Sequence, residues 1–199
     1  MNARLNNFLF NVLGNVRRLY RTQPRAGAET IASLMRYLRA ALPQLRTPST
    51  SLGEELELVR AYLDLLQIRM GARLTFSIDA SPELRDMEFP PMLLITLVEN
   101  AIKHGLEPVG GGSVCVRAHR HREILQVAVL DDGAGLSGAA SGGTGVGLVN
   151  VRRQLAARYN GDARFSLDAR TPRGTSATIL IPLRVRARLP EQHSYHRAA

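Results

Sequence analysis

At 199 residues, with 45% hydrophobic and 22% charged side chains, the chain is long enough for one ordinary core plus a smaller helical unit, and nothing in it reads as fibrous or wholly disordered. No apolar run approaches the ~20 residues that span a bilayer; Leu5 to Leu13 is too broken by Asn for a signal peptide, and the single cysteine, Cys115, excludes an intrachain disulfide and fits a reducing, cytoplasmic compartment. The net charge of +9 would suit nucleic acid, but the arginines are scattered, richest in 25–46 and 184–197, so no nucleic-acid partner is expected and a solvated basic surface is read instead.

From about Leu5 to Met70 the pattern is helical. Phe8, Val12, Val16 and Tyr20 recur near the helix period, as do Ile31, Leu34, Leu38 and Leu42. Pro24 and Gly27 separate these two segments, and Pro43 to Pro48 closes the second. They predict an antiparallel hairpin whose apolar stripes need a partner, and a homodimeric four-helix bundle would supply one. A third helix starts on Ser51 with Glu54 three positions later, a capping box, and runs through Leu56, Val59, Tyr62, Leu63 and Leu66 to Gly71.

Beyond Ala72 strands and helices mix. Leu74, Phe76 and Ile78 alternate as a half-buried strand does. Pro90-Pro91 opens an apolar helix from Met92 to about His104. Strands are expected over Ser113 to Ala118, with Cys115 a small buried thiol, and over Glu123 to Leu130, joined by a basic turn from His119 to Arg122. A Gly/Ala/Ser loop covers Asp131 to Thr144, a helix Val146 to Tyr159, and two last strands Ala163 to Asp168 and Thr175 to Pro182, with turns at Gly161 and Gly174. This is an α/β chain with a mixed sheet in a sandwich. Residues 1–70 form its helical part, 71–183 the α/β domain, and 184–199 a basic tail expected to lack order.

Three motifs carry chemistry. Asn100 and Lys103 lie three apart near the end of an apolar helix; a carbonyl able to ligate Mg²⁺ beside an ammonium able to meet phosphate suits a nucleoside triphosphate. Alone, the pair reads as a polar, solvent-facing patch. Asp131-Asp132-Gly133-Ala134-Gly135 follows an apolar strand: its first carboxylate can accept from an adenine amino group, and its glycines let the backbone approach the ring. Alone, it is an ordinary Asp-Gly turn. Gly143-Thr144-Gly145-Val146-Gly147-Leu148 enters a helix, where freed N–H groups and the helix N-terminus favour phosphate. The loop before it speaks against a dinucleotide turn, and no Gly-Lys-Ser/Thr run marks a P-loop.

In this order and spacing the three resemble the N, G1 and G2 boxes of the GHKL superfamily, which includes histidine kinases, gyrase-type and Hsp90-type ATPases and anti-sigma serine kinases. The resemblance implies the GHKL (Bergerat) sandwich, with ATP and Mg²⁺ as ligands. It makes Asn100 the metal ligand, Lys103 a phosphate contact, and His104 part of the ATP site. Asp131 would bind the adenine amino group, Gly133 and Gly135 would line the base, Gly143, Gly145 and Gly147 with Leu148 would form the lid, and Thr175 would lie near the adenine. Glu99 is a candidate base or a support for the metal ligand, with a plain helix-surface charge as the rival reading.

The subfamily narrows further. Phe8-Leu9-Phe10-Asn11, Glu55-Leu56, Tyr62-Leu63, Ile68-Arg69, Pro90-Pro91, the run Val98 to Gly105, and Gly147 to Arg152 resemble LytS-type sensor histidine kinases over roughly residues 3 to 182. The resemblance implies phosphoryl transfer from ATP to histidine and then to a response regulator, in a homodimer, with a membrane sensor segment that this chain does not include. Thr96 stands where gyrase-type ATPases place a water-activating Glu, which counts against that branch.

The chain departs from the family in Ile95-Thr96, where Gln-Pro is common, and in Asp132, where Asn is usual. The larger departure is Asn7. The family has a proline-histidine pair immediately before the Phe-Leu-Phe-Asn run, and that histidine accepts the phosphoryl group. A carboxamide nitrogen is no substitute, because its lone pair is delocalised. The remaining histidines, His104, His119, His121, His193 and His196, lie outside the helical part. Two readings stand: an excised or altered catalytic fragment, favoured by nucleotide motifs that are intact while the departure lies near the start, or a degenerate kinase that binds ATP and gates a partner.

Overall fold

The computed structural model describes residues 12–14, 16, 20, 22–136 and 146–183. Asn7 and the Phe8–Asn11 run, the lid glycines Gly143 and Gly145, and the basic tail lie outside these residues.

Helix α1 (Pro24–Gln44) begins on its proline, which costs no hydrogen bond at a first helical position. Gly27 therefore sits inside its first turn instead of between segments, where a Cβ would come within 3.1 Å of the Tyr20 backbone. The buried stripe of α1 is Thr30, Ser33, Leu34, Tyr37, Ala41 and Gln44, while Ile31, Met35 and Leu42 remain exposed. The apolar residues expected on one stripe are thus divided between two faces.

Helix α2 (Leu52–Met70) carries the expected capping box: Glu54 N–H donates to Ser51 Oγ at 3.1 Å, and Ser51 N–H donates to Glu54 Oε2 at 2.9 Å. Its start is pinned by a short antiparallel pair that the sequence pattern did not announce, β1 (Thr50–Ser51) with β3 (Glu88–Phe89). Strand β2 (Leu74–Ala80) follows α2 after one 3₁₀ turn.

The five-stranded sheet has the order β2-β4-β5-β7-β6, with β4 (Gly112–His121), β5 (Ile124–Asp131), β6 (Arg164–Ala169) and β7 (Thr175–Pro182). β2 runs parallel to β4 and every other pair is antiparallel, so the sheet is mixed as expected. The β4–β5 ladder continues through His119↔Gln126 to His121↔Ile124, so His119 and His121 are strand residues, and the turn shrinks to Arg122 and Glu123 with Arg122 at φ 53°. One face of the sheet, including Leu74, Val114, Val116, Leu125, Val127, Val129 and Ile179, is buried. Helices α2, α3 (Leu93–Asn100) and α4 (Val146–Tyr159) join these residues in one continuous core.

Candidate functional site

Pro90 and Pro91 withhold two main-chain donors, and Met92 turns at φ 59° before α3 begins. The first N–H groups of a helix need acceptors from outside it. Here they find a carboxylate from α2. Glu55, fully buried, accepts from Met92 N–H at 2.7 Å and Leu94 N–H at 2.8 Å. Burial pushes its carboxyl up to about 7, against the pull of those N–H groups. Thr96 donates its hydroxyl to the Met92 carbonyl at 2.7 Å, so the side chain in the gyrase-type glutamate position is occupied with the backbone.

At Asn100 the winding changes: Ala101–Leu106 is π-helical, a form that recurs at functional sites. The α-helical spacing that would align Asn100 with Lys103 stops there. Lys103 is exposed, while Asn100 and His104 are half-buried. The Asn100 Nδ2 is closed off from solvent and has no hydrogen-bond partner among the described residues. Glu99 is half-buried beside two tyrosines of the helical part, Tyr37 and Tyr62, whose rings stand 6.0 Å apart. Burial first, and the Glu99 charge second, hold both hydroxyls above their usual range.

Asp131 ends β5, opposite Val114 in β4, with only 3% of its surface exposed. Its Oδ1 accepts from Gly133 N–H at 2.9 Å. Burial pushes the carboxyl above the ordinary range, and the N–H groups of Gly133 and Thr175 and the charge of Arg170 moderate the rise. The turn after it is gripped from two sides. Ala134 N–H donates to the Gly105 carbonyl at 2.9 Å, and a Cβ on Gly133 would stand 2.2 Å from that same carbonyl group. A Cβ on Gly105 would stand 2.7 Å from Asp131 Oδ1, and one on Gly174 would stand 2.0 Å from the Asp131 carbonyl oxygen. Gly135, at φ 72°, lies next to Gly174. Asp132 caps the start of β4 by accepting from Ser113 N–H at 2.7 Å. Burial works against that carboxyl, but Ser113 and Arg173 outweigh it and hold it below the usual range.

The fold therefore draws together Gly105, Asp131, Gly133, Gly135 and Thr175 around one buried carboxylate. Gly147, buried, and Leu148, half-buried, open α4, which packs on α3. That helix is held at its other end by Gln154, which donates to the Pro91 carbonyl at 3.0 Å, and by Arg158, which reaches the Pro48 carbonyl at 2.6 Å and Glu88 at 2.5 Å. Gly105, Glu55 and Arg170 were given no role by motif reading. Glu55 and Gly105 carried a signal, since both stand in stretches that resemble LytS-type kinases, whereas Arg170 carried none.

Two family profiles match the chain: "Histidine kinase" over residues 2–74, and "Histidine kinase-, DNA gyrase B-, and HSP90-like ATPase" over residues 88–185. The chain is 30% identical over 188 residues to the sensor histidine kinase BtsS of Escherichia coli strain K12, an alignment covering 92% of this chain and 33% of that protein. It is 31% identical over 191 residues to the sensor histidine kinase/phosphatase LytS of Staphylococcus aureus strain Mu50, covering 88% and 32%. The chain thus spans about a third of the length of these relatives. Among solved structures, the histidine kinase domain of a blue-light activated kinase from Erythrobacter litoralis superposes with a TM-score of 0.52 at 20% identity, over 79% of this chain and 75% of that one. The histidine kinase ThkA, in complex with the response regulator protein TrrA, does so with a TM-score of 0.50 at 15% identity, over 92% and 60%. At these identities the superpositions speak for the fold.

Proposed function

Because this chain belongs to the LytS-type sensor histidine kinases, with the GHKL ATPase fold in its second part, we propose that it is the ATP-binding catalytic portion of such a kinase. Residues 1–70 would be its dimerisation and phosphotransfer-like part and 71–183 its nucleotide domain. The carrying observation is the buried Asp131 carboxylate, enclosed so closely that a Cβ at Gly133 or Gly174 would collide with main-chain atoms and one at Gly105 would displace the carboxylate itself.

The residues fit a Mg·ATP ligand. Asn100 presents an amide whose buried nitrogen, a donor, lacks a partner among the described residues, which suits a phosphate oxygen beside it, since a buried donor left unpaired costs about 1–3 kcal/mol. Bound Mg²⁺ supplies charge neutralisation across the phosphates. Asn100 would orient it through its carbonyl, Lys103 would meet phosphate from the exposed face, Asp131 would accept from the adenine amino group, and Gly143, Gly145 and Gly147 would close over the phosphates. Phosphoryl transfer asks mainly for such positioning. Glu99, adjacent to Asn100 and beside the Tyr37–Tyr62 pair, would couple the site to the helical part.

Ile31, Met35 and Leu42, exposed by 41%, 47% and 52%, give α1 an apolar outer face suited to a second copy, supporting a homodimer. A response regulator would be the receiving partner; the structural neighbour ThkA is itself in complex with one. Asn7 favours a second reading: a degenerate module that binds ATP and gates a partner without accepting phosphate. Calorimetric titration with a non-hydrolysable ATP analogue, with and without Mg²⁺, tests the nucleotide reading. Mg²⁺-dependent binding that Asp131→Asn abolishes is expected; no binding at millimolar analogue would overturn it.

A further inference from the structure

Arg170 lies in the turn between β6 and β7, a stretch in which no motif assigns it a role. Its backbone N–H closes the hairpin on the Gly174 carbonyl at 3.0 Å. Its side chain, half-buried, crosses to the neighbouring turn, where Nη1 donates to the Asp131 carbonyl at 2.7 Å. Gly174, at φ 99°, makes that approach feasible, because any side chain there would collide with the same carbonyl. A guanidinium thus joins the last residue of β5 to the β6–β7 hairpin by a charge-assisted bond outside the sheet ladder.

We propose that Arg170 is a positioning residue of the nucleotide site: it ties down the Asp131 main chain and sets a positive charge beside the carboxylate, so that Asp131 meets the base as an acceptor only and selects a 6-amino purine over a 6-oxo purine. The inference rests on the ATP reading above. An ionised carboxylate has no proton to give, whereas a protonated one donates as well as accepts and pairs equally well with a ring carbonyl. The site works against ionisation, since burial raises the Asp131 carboxyl and the Asp132 charge adds to the rise. Against these stand two N–H groups, from Gly133 and Thr175, and one cation, Arg170. Asp132 is itself held ionised by Ser113 and Arg173, so its repulsion persists across the neutral range. Removing the Arg170 charge shifts the balance toward the protonated form, and ATP affinity is then lost at a higher pH as the pH falls.

The test compares the full chain with Arg170→Gln, which keeps donors but no charge. Each would be titrated at pH 8 and pH 6 with non-hydrolysable ATP and inosine triphosphate analogues. Taking the ratio of variant to unmodified chain cancels the ligand's own titration. Relative to the unmodified chain, Arg170→Gln is expected to lose more affinity for the adenine analogue at pH 6 than at pH 8, by at most about tenfold for a one-unit displacement, with the inosine analogue gaining on it. A merely structural role would lower affinity equally at both pH values and leave the preference for adenine unchanged, which would overturn the proposal. If Arg170→Gln does not fold, Arg170→Lys carries the test, because it keeps the charge: its pH profile should follow the unmodified chain, and a displaced profile would sink the idea. If neither analogue binds the unmodified chain, or Asp131→Asn binds as well as it does, the ATP reading itself has failed. If Asp131→Asn weakens binding while Arg170→Gln tracks the unmodified chain, the role of Arg170 alone has failed.

Discussion

A hydrogen atom on Gly105, in place of a methyl group, leaves the Asp131 carboxylate where it is: a Cβ there would lie 2.7 Å from Oδ1. Gly105 has no left-handed backbone to protect, so Gly105→Ala acts by crowding alone. The variant is expected to fold, with its melting temperature little changed, yet to bind a non-hydrolysable ATP analogue about tenfold or more weakly, the scale of one charge-assisted hydrogen bond. Unchanged affinity would mean that the carboxylate is free to move or does not touch the base. Asp131 itself was legible in the sequence, because a carboxylate at the end of an apolar strand followed by spaced glycines is a local pattern. The need for glycine at 105 was not, since the atom it spares is 26 positions away in the chain.

Between elements, the decisive link is Glu55 at the start of α3. Helix ends need partners, and α2 supplies one across 37 and 39 positions of chain, to Met92 and Leu94. A carboxyl raised from 4.5 to about 7 in the folded chain binds more protons there than in the unfolded chain between those values. Its contribution is therefore complete below 4.5 and lost as the pH rises through 7, a fall of about 3 kcal/mol. Urea unfolding across this range should show the stability of the unmodified chain falling relative to that of Glu55→Gln as pH rises, because the variant lacks the proton that the folded chain must release. Parallel curves would show that Glu55 does not carry the pH dependence. The capping box at Ser51 and Glu54 was readable because donor and acceptor lie three residues apart. The π winding after Asn100 was not, since apolar periodicity over six residues does not separate it from an α-helix.

At the scale of the whole molecule, the nucleotide site and the helical part share one core: Leu34 and Tyr37 of α1 join Leu63 and Leu66 of α2 and Leu97 of α3 in it. Arg158 extends the connection by bonding α4 to Pro48, in the connector between α1 and α2. If this assembly is a competent catalytic portion, restoring the family's acceptor should restore transfer. Asn7→His incubated with γ-labelled ATP and Mg²⁺ is expected to gain acid-labile label that the unmodified chain lacks and that Asn7→His with Asp131→Asn loses. No label in a variant that still binds the ATP analogue would favour the degenerate, partner-gating reading.

Taken alone, the sequence determined the α/β class, the mixed sheet and, outside β1 and β3, the spans of the described strands and helices to within a few residues. All of these follow from periodicity, capping and turn chemistry within short windows of chain. Tertiary structure alone decided which glycines touch which carboxylate, that Glu55 would close the end of a distant helix, that Arg170 would reach Asp131, and which apolar residues of α1 stay exposed. Those outcomes depend on how burial and hydrogen-bond satisfaction are shared among segments far apart in the chain, and no local window of residues contains both partners.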